Sequence, residues 1–528
     1  MTPEPRTRPR SRRLAALGGG LLLALAVIAA SAAWLTAKSA PTTTNAGSPA
    51  ALAADHVRVC GNRSVLGRGP SARPAGAVSV PAGDDSRINF RTPHATYWFA
   101  PGIHTLGAGR FAQIQPGAGS TFIGAPGAVL DGRRVNYYAF TGTAPDVRIR
   151  YLTIENFGSL GGDFNQGVVN ASSAAGWTID HTTIEDNAGA GVMLGSRDTL
   201  RYDCLLKNQQ YGFNAYAVPG PDALTLDDNE IAENDTYNWE QHTPGCGCSG
   251  GGKFWNVDGA SVEGNWVHGN HNVGLWADTN NRGFNFSGNY FDNNYAEALI
   301  YEISYNAQIK DNLFVRNAIG AGPSSPGFPT PAIYISESGS DRRVATSYST
   351  SFQISHNVFI DNWSGVILWE NSNRFCGSPD NSSSGTCTLV DPSVANIRTC
   401  TRSALQHATA SQTPDYYDLC RWKTQNVDVD DNHFSFDPAA IGPDCSAARG
   451  CGYVGVFSEY GSDPSWSPYQ GTAVEYHITL GQDNHFTDNV YDGPWKFMAL
   501  ADGETVSWSL WRSRYGQDAG SALATARP

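Results

Sequence analysis

Residues 265–317 decide the fold: NWVHGN (265–270), HNVGLWADTNNRGFNFSG (271–288), NYFDNN (289–294), YAEALIYEISYNAQIKD (295–311), NLFVRN (312–317). Within them an Asn is followed five residues later by another Asn, three times over. Elsewhere the same frame gives the pairs Asn229/Asn234, Asn357/Asn362 and Asn484/Asn489, and single Asn residues at 187 and 208 extend it towards the N-terminus. Asn265 to Asn289 is 24 residues and Asn289 to Asn312 is 23. A repeat of this length, holding about three strand-sized apolar runs split by Gly, Asn and Asp, is the signature of a β-solenoid with one coil per repeat. Asn suits the turns, since it tolerates the left-handed conformation and can bond to its equivalent on the next coil. Leucine-rich repeats share the period but not the Leu pattern, and a propeller blade needs about twice the length.

The composition agrees. The chain has 528 residues, 16% charged, with 57 Gly and 14 Trp. This favours β structure, and short runs such as Thr121–Gly124, Trp177–Ile179 and Val192–Leu194 lack any helical period. Beyond residue 40 there are 30 basic and 48 acidic side chains, a formal charge of −18. Such a surface repels nucleic acid and polyanionic sugars, so a neutral carbohydrate is the expected partner.

Five Arg (Arg6, Arg8, Arg10, Arg12, Arg13) precede 22 uncharged residues, Leu14 to Leu35. Residues 1–40 therefore read as an export signal, either a cleaved peptide or a membrane anchor, and the body is expected outside the cytoplasm. Residues 41–55 read as a linker, 56–510 as the solenoid and 511–528 as a tail. Ten cysteines, six of them in the close pairs 376/387, 400/420 and 445/451, predict disulfide-stapled loops. Cys246-Gly-Cys248 has no second ligand pair, so no metal is expected there.

The stretches Tyr97–Gly102, Phe122–Gly132 and Val147–Ile154 resemble the opening coils of right-handed parallel β-helix proteins, the superfamily of pectate lyases, polygalacturonases and several glycosidases. The resemblance covers roughly residues 90–500 and implies an all-β, right-handed parallel β-helix. It is far less specific for reaction, because this fold carries many chemistries. Insertions near 236–253, 318–350 and 374–421 break the period, and long loops on one side of a solenoid usually wall its groove. Within the second insertion, residues 332–336 read as its strand.

Three carboxylates follow an Asn of the frame by eight residues: Asp278, Glu302 and Glu370. Asp278 and Glu302 are one coil apart, and equivalent positions on adjacent parallel strands stack at about 4.8 Å. Two carboxylates so close repel without a cation, an arrangement that a chain selected for stability alone would avoid. In a retaining glycosidase the nucleophile and acid/base are about 5–5.5 Å apart. The segment resembles β-helix glycosidases of β-xylosidase type, which implies Asp278 as nucleophile and Glu302 as general acid/base. Glu370, two coils beyond, is expected as a substrate-binding or alternative acid, and Glu337 lies one step out of phase. Trp276, Tyr305 and Trp369 are candidate sugar-stacking residues. His242 and Lys253 are expected on a loop over the groove. No cofactor is required. Two rival readings stay open: a uronic-acid lyase or epimerase using Lys253 or Arg282, with calcium held by Asp227/Asp228 or Asp430/Asp431, and a non-catalytic carbohydrate-binding solenoid.

Overall fold

The structure is a computed structural model describing His56 and residues 58–159, 167–217, 220–247, 250–341, 351–371, 423–459, 479–501 and 504–524. The export segment, the linker and the insertion near 374–421 with its four cysteines lie outside the described residues.

The chain visits three sheets in turn. In one coil it runs through Asp258–Glu263 of the first sheet, Trp266–His268 of the second and Leu275–Asp278 of the third, then starts again at Arg282–Ser287. Each strand pairs with its equivalent one coil earlier and later, giving sheets of 13, 14 and 12 strands among the described residues. The pairings are parallel, except where Lys496–Ala501 meets Thr505–Val506 antiparallel. Parallel crossovers wind right-handed because strand twist lets the chain pack back only that way. The fold is thus the expected right-handed parallel β-helix.

Strand alternation sorts the side chains. Leu275 and Ala277 point inward and are fully buried, while Trp276 and Asp278 point out. Inward positions on successive coils stack like on like: Phe291, Phe314, Phe359, Phe434 and Tyr491 form one column with ring centroids 4.5–4.9 Å apart. Short spacing along one axis concentrates apolar burial in the interior.

The two Asn of each frame build two ladders. Asn229, Asn265, Asn289, Asn312, Asn357, Asn432 and Asn489 form the first, each side-chain oxygen accepting the backbone N–H of the Asn one coil earlier at 2.9–3.0 Å. Asn187, Asn208, Asn234, Asn270, Asn294, Asn317 and Asn362 form the second. The left-handed residue is not the ladder Asn but the one before it, for example Asp228, Gly264, Gly288 and Asp311 in the first ladder. What the ladder position needs is the amide's paired donor and acceptor, which satisfy buried backbone groups at each corner. The Asn484/Asn489 pair is also out of phase. Asn489 closes the first ladder, whereas Asn484 precedes a first-sheet strand and accepts from Val427 N–H.

Two disulfides are described in full. Cys445–Cys451 is the expected close pair, and Cys60–Cys204 ties the N-terminal strap to the second sheet across 144 residues. The buried Glu230 carboxylate accepts the Val59 and Cys60 N–H groups beside that bridge. Residues Ile333–Ser336 form the strand expected in the second insertion. Beyond residue 510 the helix Trp508–Ser513 continues, and Ala522–Ala524 adds a strand to Val490–Asp492, so the segment expected as a tail closes the second sheet.

Candidate active site

The outer face of the third sheet carries the acids. Strand register pairs Leu275 with Leu299 and Ala277 with Tyr301, so Asp278 and Glu302, each the last residue of its strand, occupy equivalent outward positions on adjacent coils. One strand spacing, about 4.8 Å, separates their backbones. The same outward column runs Tyr216, Trp255, Asp278, Glu302, Ser336, Trp369, Phe457.

A cation accompanies the pair. Lys253 Nζ lies 3.0 Å from Asp278 Oδ2 and 3.9 Å from the centroid of the Trp276 ring. Asp278 also accepts from the Thr279 hydroxyl at 2.8 Å. The Trp276 indole N–H donates to Glu302 Oε2 at 3.2 Å. Lys253, Trp276, Asp278 and Glu302 therefore form one connected group, with Glu302 at 4% exposure as its most enclosed member.

Lys253 is not on the loop. It sits in the strand Gly250–Trp255, because the preceding glycines, loop-like in composition, are a site of close backbone approach. A Cβ at Gly251 would come 2.4 Å from the Gly274 carbonyl oxygen, and one at Gly252 would come 2.1 Å from the Phe213 ring. The loop acts on Lys253 from above: the Gly247 carbonyl accepts from Lys253 Nζ and from the Tyr211 hydroxyl. Burial, and after it the Asp278 charge, pushes that Tyr211 hydroxyl well above its ordinary range. Glu240 holds the loop turn by accepting from Gly245 and Gly247 N–H at 2.6 and 3.1 Å. Burial raises Asp235 to about 7 even though it accepts the Trp239 N–H. Cys246 is disulfide-bonded.

The other candidates lie elsewhere. Glu370 does not share the column: Trp369 pairs with Ser336, so Glu370 aligns with Glu337, one residue on. It is 2% exposed and accepts the Thr424 N–H at 2.8 Å, a buried corner carboxylate. Counting eight residues from Asn362 fails because the strand begins one residue earlier. Glu337 is fully buried at the same corner and accepts from the Ser336 hydroxyl. Tyr305 begins a first-sheet strand and is fully buried, its hydroxyl bonded to the Lys423 carbonyl and N–H. Trp369 is in the column but covered by Phe328 of the second insertion, at 5.3 Å between rings. His242 is exposed on the short helix Trp239–His242, stacked on Tyr237 at 4.1 Å. Of the eight candidates the fold brings together Lys253, Trp276, Asp278 and Glu302.

Tyr216 and Trp255 were missed. Trp255 stands 23 residues before Asp278, one coil, so the period alone would have found it. Tyr216 is 39 residues earlier still, and the insertion hides its phase. A cleft of about 460 Å³ beside Tyr295 and Asn238, at the second-ladder turns, does not include the acid pair. Among the described residues no three His, Cys, Asp or Glu side chains cluster to hold a metal ion.

A family model described as right handed beta helix region matches residues 166–341, which include the whole acid group. A search of curated proteins finds no significant match. Several solved structures are similar to this chain at low identity. The A-module of the mannuronan C-5 epimerase AlgE4 of Azotobacter vinelandii is 13% identical, with 69% of this chain and 88% of that one covered and a TM-score of 0.39. The catalytic unit of a GH87 α-1,3-glucanase from Streptomyces thermodiastaticus is 12% identical, with 87% and 71% covered and a TM-score of 0.49. PfbA, a surface adhesin of Streptococcus pneumoniae, is 9% identical, with 52% and 76% covered and a TM-score of 0.29.

Proposed function

We propose that this right-handed parallel β-helix protein is an exported glycoside hydrolase that cleaves a neutral poly- or oligosaccharide with retention of anomeric configuration. The observation that carries the reading is the placement of Asp278 and Glu302 at equivalent outward positions on adjacent coils. The strand spacing of about 4.8 Å brings the two strand ends close enough for their carboxyl groups to reach the roughly 5–5.5 Å separation of retaining enzymes.

The surroundings divide the labour. Asp278 receives donors from Lys253 and Thr279, a setting for an anion, and serves as nucleophile at the anomeric carbon. Glu302, enclosed and met by the Trp276 indole N–H, protonates the departing glycosidic oxygen. The bond from Asp278 to the sugar forms as the glycosidic bond breaks. Glu302 then takes a proton from water, which displaces Asp278 and restores both groups. Lys253 supplies the counter-charge that two neighbouring acids require. Held by Asp278, the Gly247 carbonyl and the Trp276 face, it is occupied as a cation and poorly suited to the base role of a lyase.

The test is a screen of neutral plant and cell-wall glycans with wild type, Asp278→Asn and Glu302→Gln, following the product anomer by NMR. Retained configuration, with turnover lost in both variants and the fold kept, is expected. Unsaturated products would make the protein a lyase, and unchanged turnover in the variants would remove the pair from catalysis.

A further inference from the structure

Exposure falls along the column from Tyr216 to Ser336 and stays low beyond it. Tyr216 is 46% exposed, Trp255 is half-buried, the Asp278 side chain is 20% exposed, Glu302 4% and Ser336 none. The column is thus open on the side of the earlier coils and sealed on the side of the later ones. The seal is built: Phe328 packs against Tyr334, Trp369 and Phe457 with ring centroids 5.3–6.2 Å apart. On the open side Tyr216 and Trp255 lie 4.9 Å apart, ring to ring, two coils and one coil before Asp278 respectively.

We infer that Tyr216 and Trp255 form the platform on which the saccharide lies, so that the chain runs from the acid pair towards the earlier coils and is cut from an end. The inference rests on the hydrolase reading and adds direction to it. Coil spacing of about 4.8 Å is close to the advance of one sugar ring along an extended chain, so one aromatic residue per coil offers one face per sugar. Sugar rings present C–H faces that pack on aromatic faces, and Tyr and Trp keep a polar edge for the hydroxyls. In the other direction Ser336 is fully buried and Trp369 and Phe457 are only 8% and 1% exposed, too little surface for a polymer to continue along the column. A chain interior would have to occupy both sides, and a chain end needs only one.

Binding separates this inference from the hydrolase reading. Asp278→Asn protein, with Tyr216→Ala or Trp255→Ala added, is run through native gels containing soluble xylan, mannan, mixed-linkage β-glucan or α-glucan. Retardation of the parent by at least one polymer, weakened about tenfold in affinity by each added substitution and restored by Trp255→Phe, is expected. Tyr216 is exposed, so its replacement leaves the core intact. Retardation unchanged by both substitutions, or absent in every gel, overturns the platform, while the glycan screen decides hydrolysis separately. Wild type acting on the retarding polymer is expected to release one short product from the earliest time. A ladder of product lengths overturns attack from the end.

Discussion

The Lys253 ammonium lies 3.0 Å from Asp278 Oδ2, although the strand register pairs Lys253 with Trp276 and not with Asp278. The side chain reaches diagonally over the indole face, so one cation is bound both to the acid and to the ring whose N–H meets Glu302. Removing that charge leaves two carboxylates on adjacent coils without it. Lys253→Met is expected to lower turnover about 100-fold with the fold retained, as checked by kcat on a glycan the wild type cleaves and by circular dichroism. Turnover within a factor of about two of wild type would take Lys253 out of the mechanism.

Gly247 transmits the loop to the site. It sits at φ +53°, and a Cβ there would be 2.9 Å from Trp276 Cη2 and 3.2 Å from Lys253 Nζ. Gly247→Ala is expected to displace the indole from Glu302, lowering kcat more than it lowers melting temperature and shifting the tryptophan emission. An unshifted spectrum with wild-type kcat would show that the loop does not set the ring.

Tyr305 and Glu370 belong to the scaffold. Tyr305→Phe removes the hydroxyl's two bonds to the Lys423 N–H and carbonyl and is expected to cost about 1–2 kcal/mol of stability, with kcat and KM unchanged. Urea denaturation alongside kinetics checks it; a selective loss of kcat would return Tyr305 to the site.

The ladders are expected to dominate local stability. Asn289 accepts from the N–H and side-chain amide of Asn265 and donates to the Val262 carbonyl and the Asn312 oxygen. Asn289→Ala removes these four bonds and takes the side-chain acceptor from the buried Asn265 N–H, at a cost of about 3 kcal/mol, to be read from the denaturation midpoint. A change under about 0.5 kcal/mol would mean that the corner relaxes without its amide.

Asp198 gives a pH dependence whose sign is fixed. Burial pushes its carboxyl up to about 7, against the lowering effect of the Gly195 and Trp177 N–H groups it accepts. Between the unfolded value of about 4 and about 7, the folded chain holds a proton that the unfolded chain releases. That contribution to stability is present below pH about 4 and lost as pH rises through about 7. Asp198→Asn is expected to flatten this part of the stability profile, measured by denaturation at stepped pH; an unchanged slope would place the titration elsewhere.

Part of this was legible in residues. The Asn spacing, the Gly, Asn and Asp breaks and the apolar runs fix the coil, because a parallel coil repeats its corners at constant chain length and each corner must satisfy the same backbone groups. One coil of separation between Asp278 and Glu302 follows from counting. Counting misled wherever a strand began one residue early or late. A single-residue shift reverses the side of the sheet a residue faces, and it moved Glu370 from the groove to a buried corner.

The sequence by itself therefore determined the solenoid, its period and the adjacency of two acids, since these depend on local repetition. Tertiary structure alone decided which outward residues meet. Lys253 reaches Asp278 only because the strand Gly250–Trp255 lies beside Leu275–Asp278 after an insertion of irregular length. Phe328 closes one end of the column from a loop that the repeat does not encode. The physical reason is the same in both cases: periodicity specifies pairing between neighbouring coils, whereas a loop is placed by the packing and hydrogen bonds it finds after the coils have stacked.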